Sequence, residues 1–337
     1  MPDRFLRQCW YVAGFGHEIA DKLLARTILG EPVLLYRTAG GQAVAMQDRC
    51  PHRAVPLSRG QLMGDEVRCS YHGLRFGPDG ACRDVPCQPH IPQSLRVATF
   101  GVAERHGLCW IWMGEASRAD EALIPDVHWL DHPQWAACSG YHHIRANYQL
   151  LNDNLLDLSH ESYLHEATIG NEAVARAPVS TQQVEGTVRV HREIRDCDPP
   201  PFYAKTSGRS TRIHRWHTTI FRPPSFNLIE NGSHPVDQDR STALQRRIIH
   251  LATPETASST HYFWAIARPY QLEDAALTAW IREQSARTFD EDKAMLEAQQ
   301  RALGDEGSAA FSTALLTDAG PIQARRLLQS LIDKEHP

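Results

Sequence analysis

The stretch CPHRAVPLSRG at positions 50–60, followed by CSYHG at 69–73, sets two cysteine–histidine pairs in the chain, Cys50 with His52 and Cys69 with His72. A thiolate and an imidazole one or two residues apart can both reach one metal, so two such loops can bring two sulfurs and two nitrogens together. Three readings compete: a zinc site, an iron–sulfur cluster with mixed ligands, and a coincidence of reactive residues.

Zinc accepts this donor set, but structural zinc sites usually build their knuckles from Cys-x2-4-Cys. Here each loop supplies one Cys and one His. That division fits a [2Fe–2S] cluster in which one iron takes two cysteines and the other two histidines, the Rieske arrangement. Neutral imidazoles in place of two thiolates leave the cluster less negative and raise its potential, so it accepts and relays electrons. Gly60, Gly73 and Pro56 around the loops read as turn residues.

Working outward, "RTILGEPVLLYRTAGGQAVAM" (26–46), "LRFGPDGACRDVP" and "SLRVATFGVAERHGLCWIWMG" alternate aliphatic runs with Gly and Pro breakers, the pattern of short strands and tight turns. An all-β domain over residues 1–125 is expected, with both Cys-His pairs in its loops. After "EASRADEALIPD" the texture changes. Residues 147–167, "NYQLLNDNLLDLSHESYLHEA", have helical spacing at Leu151, Leu155, Leu158 and Tyr163. Strand patterns return over 180–268, followed by a long helix from about 272 to 303 and an amphipathic C-terminal one. A second domain over 126–337, of α+β class with an antiparallel sheet, is the expectation.

The chain has 337 residues, 42% hydrophobic and 22% charged, with a formal charge of −5. This is a globular balance, and with both signs interspersed it gives no footprint for nucleic acid or an anionic membrane. The N-terminus lacks a signal-peptide pattern and no apolar run is long enough to span a bilayer, so a cytoplasmic location is expected. Eight cysteines form no framework of short loops, and reduced thiols or metal ligands are the better reading.

A second constellation lies in "NDNLLDLSHESYLH", where Asp157, His160 and His165 read Asp-x2-His-x4-His. A helix end with surface histidines is the plain alternative. An ideal helix would set the two histidines about 140° apart, so joint ligation requires the helix to bend or end between them. A two-His-one-carboxylate iron site needs one more acid. In "RTFDEDKAMLEAQQRAL", Asp292 lies on the arc of Phe289, Leu296 and Leu303, whereas Asp290 and Glu291 point away. An acid on an apolar face wants a partner: a metal, a buried salt bridge or a helix end.

With these motifs in place, the chain resembles the oxygenase components of the Rieske non-haem iron oxygenases over nearly its full length. "CPHRAVPLSRG", "CSYHGLRF", "NYQLLNDNLLDLSHESYLH", "TPET", "HYFWAIAR" and "FDEDKAMLEAQQ" carry the resemblance. "IGNEAVARAPVST" and "DAGPIQARR" make it most similar to the vanillate O-demethylase, dicamba monooxygenase and toluenesulfonate methyl-monooxygenase subgroup. The resemblance implies a Rieske β domain followed by a helix-grip catalytic domain. It implies Cys50 and Cys69 on one iron, His52 and His72 on the other, and His160, His165 and Asp292 on a mononuclear Fe(II). Asp157 resembles a bridging acid that bonds His160 and, across a head-to-tail homotrimer, His72 of a neighbouring subunit. Asn154 falls near the iron, although a local backbone bond explains it equally well.

The implied reaction uses O2 and electrons delivered one at a time to oxidise an aromatic substrate: O-demethylation of a methoxylated acid such as vanillate with loss of formaldehyde, or hydroxylation of a methyl group or ring carbon. No Gly-x-Gly-x-x-Gly turn is present; "GFG" at 14–16 is read as a turn. NADH oxidation is therefore expected on a separate reductase, of flavin and [2Fe–2S] type in similar systems. Arg212, Arg215, Arg222 and Arg268 are candidates to meet a substrate carboxylate, and Trp216, Phe221, Phe226 and Phe263 to line an aromatic pocket, with surface pairing and core packing as the respective alternatives. A Rieske electron carrier needs only the first domain, and a zinc-binding module would be redox-silent.

Overall fold

A computed structural model describes residues 5–208, 210–304 and 311–335. The chain divides into two compact units, Met1–Pro125 with Thr253–Ala257, and Asp126–Ala252 with Ser258–Pro337.

The first unit is all β. A six-stranded antiparallel sheet has the order β1 (Trp10–Phe15), β10 (Leu108–Trp112), β9 (Thr99–Arg105), β4 (Ala43–Gln47), β3 (Glu31–Arg37) and β2 (Leu24–Ile28). A four-stranded sheet follows chain order: β5 (Gln61–Met63), β6 (Glu66–Arg68), β7 (Arg75–Phe76) and β8 (Cys82–Asp84). Two-residue turns with both φ angles positive, Leu29-Gly30 and His106-Gly107, join β2 to β3 and β9 to β10. Their twist matches that of the flanking strands, which is why short X-Gly breakers suffice there. Leu34, Tyr36, Met46, Leu57, Val67 and Phe76 form the core beneath the metal-loop candidates, and Cys50 and Cys69 belong to that same cluster.

The second unit is α+β. One seven-stranded antiparallel sheet has the order β11 (Ala136–Ile144), β17 (Ser259–Arg268), β16 (Leu244–Thr256), β15 (Phe226–Pro235), β14 (Ile213–Arg222), β13 (Thr187–Cys197) and β12 (Val179–Val184). Three short helices, α1 (Tyr148–Leu156), α2 (Glu161–Leu164) and α3 (Glu172–Arg176), lie between β11 and β12, and α4 (Pro201–Ser207) between β13 and β14. Next comes the long α5 (Ala275–Leu303), started by Asp274, whose side chain accepts from the Leu277 N–H at 2.8 Å. Leu277 and Ile281 of α5 pack on Ile266 of β17 and Phe202 of α4. The last helix, α6 (Ala319–Glu335), buries Ala324, Leu328 and Ile332 at four-residue spacing.

The helix expected across 147–167 is broken. α1 ends at Leu156, Leu158 lies beyond it, and Tyr163 is 80% exposed rather than on a buried face. Asp157 causes the break: its backbone is extended, and its carboxylate accepts from the Ser159 N–H at 2.8 Å and hydroxyl at 2.6 Å, a side-chain turn that competes with helix continuation. No helix among the described residues is long and apolar enough to cross a membrane.

Thiol burial yields a check on the fold. Cys87 is exposed, whereas burial pushes Cys109 up to about 12 and Cys138 up to about 11. Iodoacetamide at about pH 8 should modify Cys87 first and leave Cys109 and Cys138 until last, because the thiolate is the nucleophile. Peptide mass spectrometry showing early alkylation of Cys109 would contradict this packing.

Candidate metal centres and cavity

The two Cys-His loops repeat one backbone device. Cys50 N–H donates to Val55 O at 2.9 Å and Ala54 N–H returns a bond to Cys50 O at 2.8 Å. Likewise Cys69 N–H donates to Leu74 O at 2.8 Å and Gly73 N–H to Cys69 O at 3.0 Å. Each loop turns through a left-handed residue four positions after its cysteine, Ala54 (φ 58°) and Gly73 (φ 73°). At Gly73 a Cβ would sit 3.1 Å from Pro86 Cγ, so glycine suits both the angle and the space.

The result is two thiols each 2% exposed below two solvent-exposed imidazoles whose ring centroids lie 4.6 Å apart. Among the described residues, the only trio of His, Cys, Asp or Glu whose donor atoms all lie within 4.8 Å of one another is elsewhere. Buried sulfurs below exposed imidazoles are the division of donors that a mixed-ligand [2Fe–2S] cluster uses, two cysteines for one iron and two histidines for the other.

That trio is His160, His165 and Asp292. The break after α1 isolates α2 as a single turn, with His160 as its first flanking residue and His165 as its last, where φ and ψ (−112°, 30°) leave the helix. The helix end required between the histidines is therefore present, and their rings stand 5.1 Å apart at 77°. Asp292 arrives from α5, 4% exposed between Phe289 and Leu296. Its Oδ1 lies 3.1 Å from His165 Nε2 and 3.5 Å from His160 Nε2.

Both imidazoles are oriented from behind. His160 Nδ1 is bonded to the Asp157 backbone carbonyl, and His165 Nδ1 to Glu291 Oε2 at 2.7 Å. Donation from Nδ1–H turns Nε2 of each ring towards Asp292, which is how second-layer partners fix metal-binding histidines. Burial opposes charge on His165, but Asp292 and Glu291 outweigh it and lift the imidazole to about 9. Two acids focused on two imidazoles in a half-buried spot suit a dication, and the set leaves coordination positions open.

Some expectations need correction. Glu291 does not point away; its length carries it round α5 to His165. The Asp157 carboxylate bonds Ser159, and it is the backbone carbonyl of Asp157 that meets His160. Asn154 makes more than a local bond, because its Nδ2 donates to Asp292 Oδ1 at 3.0 Å.

The trio opens on a cavity of about 80 Å³. Leu155, Ile229, Ile248, Ile266, Phe202 and Phe289 supply apolar wall. Polar wall comes from alternate positions of adjacent strands: Arg215 and His217 on β14, Asn231 on β15, Arg246 and His250 on β16. Register sets Asn231 opposite both His217 and Arg246. Burial drives His250 down to about 3, so it is neutral, and its Nδ1 shares a 2.6 Å bond with the Tyr262 hydroxyl. In the same wall, Glu161 bonds Arg192 Nη2 at 2.5 Å and His217 Nδ1 at 3.0 Å. Burial opposes its charge, yet His217, Arg192 and Arg215 together hold the Glu161 carboxyl well below the usual carboxylate range, while burial pushes His217 down.

Of the arginines singled out in the sequence, only Arg215 reaches the cavity. Arg212 is on the surface with Asp196 and Asp198, and the buried Arg268 donates to the carbonyls of Tyr270, Gln271 and Asp274. None of Trp216, Phe221, Phe226 and Phe263 lines the cavity; Phe202, Tyr203 and Phe289 do. The signal that could have found the polar wall is period-two placement of Arg, His and Asn in strands otherwise buried on both faces.

Comparison with known proteins agrees with this architecture. Residues 9–100 match the Rieske [2Fe-2S] domain, and residues 144–334 match the vanillate O-demethylase oxygenase C-terminal domain. The chain belongs to the Rieske non-haem iron oxygenases, as an oxygenase component of the two-component kind, a family that carries a Rieske cluster and a non-haem iron. It is 38% identical to the iron–sulfur subunit of the toluene-4-sulfonate monooxygenase system of Comamonas testosteroni, covering 98% of each chain. Identity with the vanillate O-demethylase oxygenase subunit of a Pseudomonas strain is 37%, over 98% of this chain and 96% of that one. A crystal structure of dicamba monooxygenase bound to 3,6-dichlorosalicylic acid superposes with a TM-score of 0.92 at 33% identity, covering 99% of both chains.

Proposed function

We propose that this oxygenase O-demethylates a methoxylated aromatic acid such as vanillate, releasing formaldehyde. The observation that carries the reading is the His160/His165/Asp292 trio opening on a cavity with largely apolar walls. In this reading residues 1–125 form the Rieske domain, with Cys50, Cys69, His52 and His72 on the cluster, and residues 126–337 the catalytic domain, with His160, His165 and Asp292 on the iron. When bound, the cluster supplies single electrons and the iron activates O2.

The protein's own part is placement. Asp157 O and Glu291 keep the two imidazoles in the tautomer that presents Nε2, and Asn154 holds the Asp292 carboxylate by one oxygen. The apolar wall excludes water and limits where a ring can lie. The Asp157 carboxylate as a bridge to His72 of a neighbouring subunit in a homotrimer, and a flavin/[2Fe–2S] reductase as electron donor, complete the proposal. A sedimentation mass close to that of the monomer would remove the bridge.

Hydroxylation of a methyl group or ring carbon is the second reading, favoured by the equally strong likeness to a toluene-4-sulfonate system. Incubation of vanillate with the purified oxygenase, a surrogate reductase, NADH and O2 separates them. One formaldehyde per phenol formed supports demethylation; an oxidised product without formaldehyde supports hydroxylation.

A further inference from the structure

Arg215 and Arg246 are 1% and 3% exposed, and both line the cavity. Their guanidinium carbons lie over the same Tyr203 ring, at 4.2 Å and 4.6 Å, and Arg246 is also 4.6 Å from the Phe202 ring centroid. Arg215 Nη1 donates to Ile169 O at 2.9 Å and Arg246 Nε to Asn231 Oδ1 at 3.2 Å. Arg215 Nε and Arg246 Nη1 are buried without any partner.

Among the described residues neither arginine has a carboxylate within ion-pair distance. The nearby acids are committed: Glu161 to Arg192 and His217, Asp292 and Glu291 to the histidines. Two buried cations with orphaned N–H groups are costly unless an anion arrives to meet them, and aromatic faces alone do not replace one. A planar oxyanion can take N–H donors from both.

We propose that Arg215 and Arg246 form an oxyanion-binding end of the cavity that takes the acid group of a ring substrate, an inference that rests on the oxygenase reading of the same cavity. Arg246 is the residue that sets the preference for an acidic substrate, since Arg215 is tied to the Ile169 backbone whereas Arg246 bonds a side chain. Asn231 fixes the Arg246 fork by accepting from its Nε.

The test is calorimetric binding to the holoenzyme of 3-methoxybenzoate, 3-methoxybenzenesulfonate and the neutral methyl ester of the first. At least one anion should bind about 100-fold more tightly than the ester, the fold-change expected of one or two charge-assisted hydrogen bonds. Which anion binds better identifies the acid group. Arg246→Met should erase most of that gap while the reduced-cluster spectrum stays as in the wild type. An ester that matches or exceeds both anions overturns the proposal, and it does so in the wild-type protein, where misfolding plays no part. Anion-selective binding without O2-dependent turnover of either acid would leave the oxyanion site standing and sink the oxygenase reading of the cavity. Oxygenation of ester and acid with equal efficiency would do the reverse.

Discussion

Asp292→Asn is expected to lower product formation by at least about 1,000-fold while the reduced Rieske spectrum persists, the result for losing the one carboxylate of a two-histidine site. Iron should fall from about three to about two per chain, because two belong to the cluster. The geometry makes Asp292 the common partner of the trio, 3.1 Å from His165 Nε2 and 3.5 Å from His160 Nε2. An amide in its place keeps the shape and the burial but removes the charge that offsets a dication. Glu291→Gln should act more mildly, lowering iron affinity about 10–100-fold, since it orients His165 from behind. Asp290, 64% exposed and 3.2 Å from His142, is the control on the same helix: Asp290→Asn should retain full iron. Unchanged iron content in Asp292→Asn would remove the carboxylate from the site altogether.

What the sequence made legible, and what it hid, follows from the reach of each pattern. Cys50/His52 and Cys69/His72 could be read as a pair of matching loops because the arrangement is local, two turns each closed by its own backbone bonds. Asp292 was legible because an acid on a buried stripe demands a partner. Glu291 was not: helical periodicity gives the direction of a Cβ, and a glutamate can swing its carboxylate a third of the way round the helix. Asp157 was read for its side chain, whereas an Asx turn gave that side chain to Ser159 and left the backbone carbonyl for His160. The cavity wall was hidden for a different reason. In β14 the residues at 215 and 217 face the cavity, while Trp216 between them takes the other face under Arg240, 3.9 Å away. Choosing aromatics and arginines by type alone mixes the two faces; only pairing register tells them apart. Arg246 becomes visible once β16 is set against β15, where it falls opposite Asn231.

Glu161→Ala should destabilise the second unit by about 3–5 kcal/mol, since it leaves the Arg192 guanidinium buried and unpaired. Arg192 is 1% exposed and donates to the carbonyls of Leu158 and Val174 as well as to Glu161, so it ties the approach to α2 and the end of α3 to β13. A fall of roughly 10 °C in Tm is the expected size. The double variant Glu161→Leu with Arg192→Met should recover most of the loss, because a hydrophobic pair of similar volume removes the stranded charge. Acid supplies an independent check. The carboxyl of Glu161 is held below its unfolded value, so its stabilisation is complete above about pH 5 and fades as pH falls through about 4 towards the folded value. The gap in Tm between wild type and Glu161→Gln should therefore be wide at neutral pH and narrow in acid; a gap independent of pH would mean that the charge contributes nothing. His160 and His165 stand at the two ends of the turn that Glu161 begins. Loosening that turn should also release iron, and the double variant distinguishes the causes: if stability returns but iron does not, Glu161 positions the histidines as well as holding the fold.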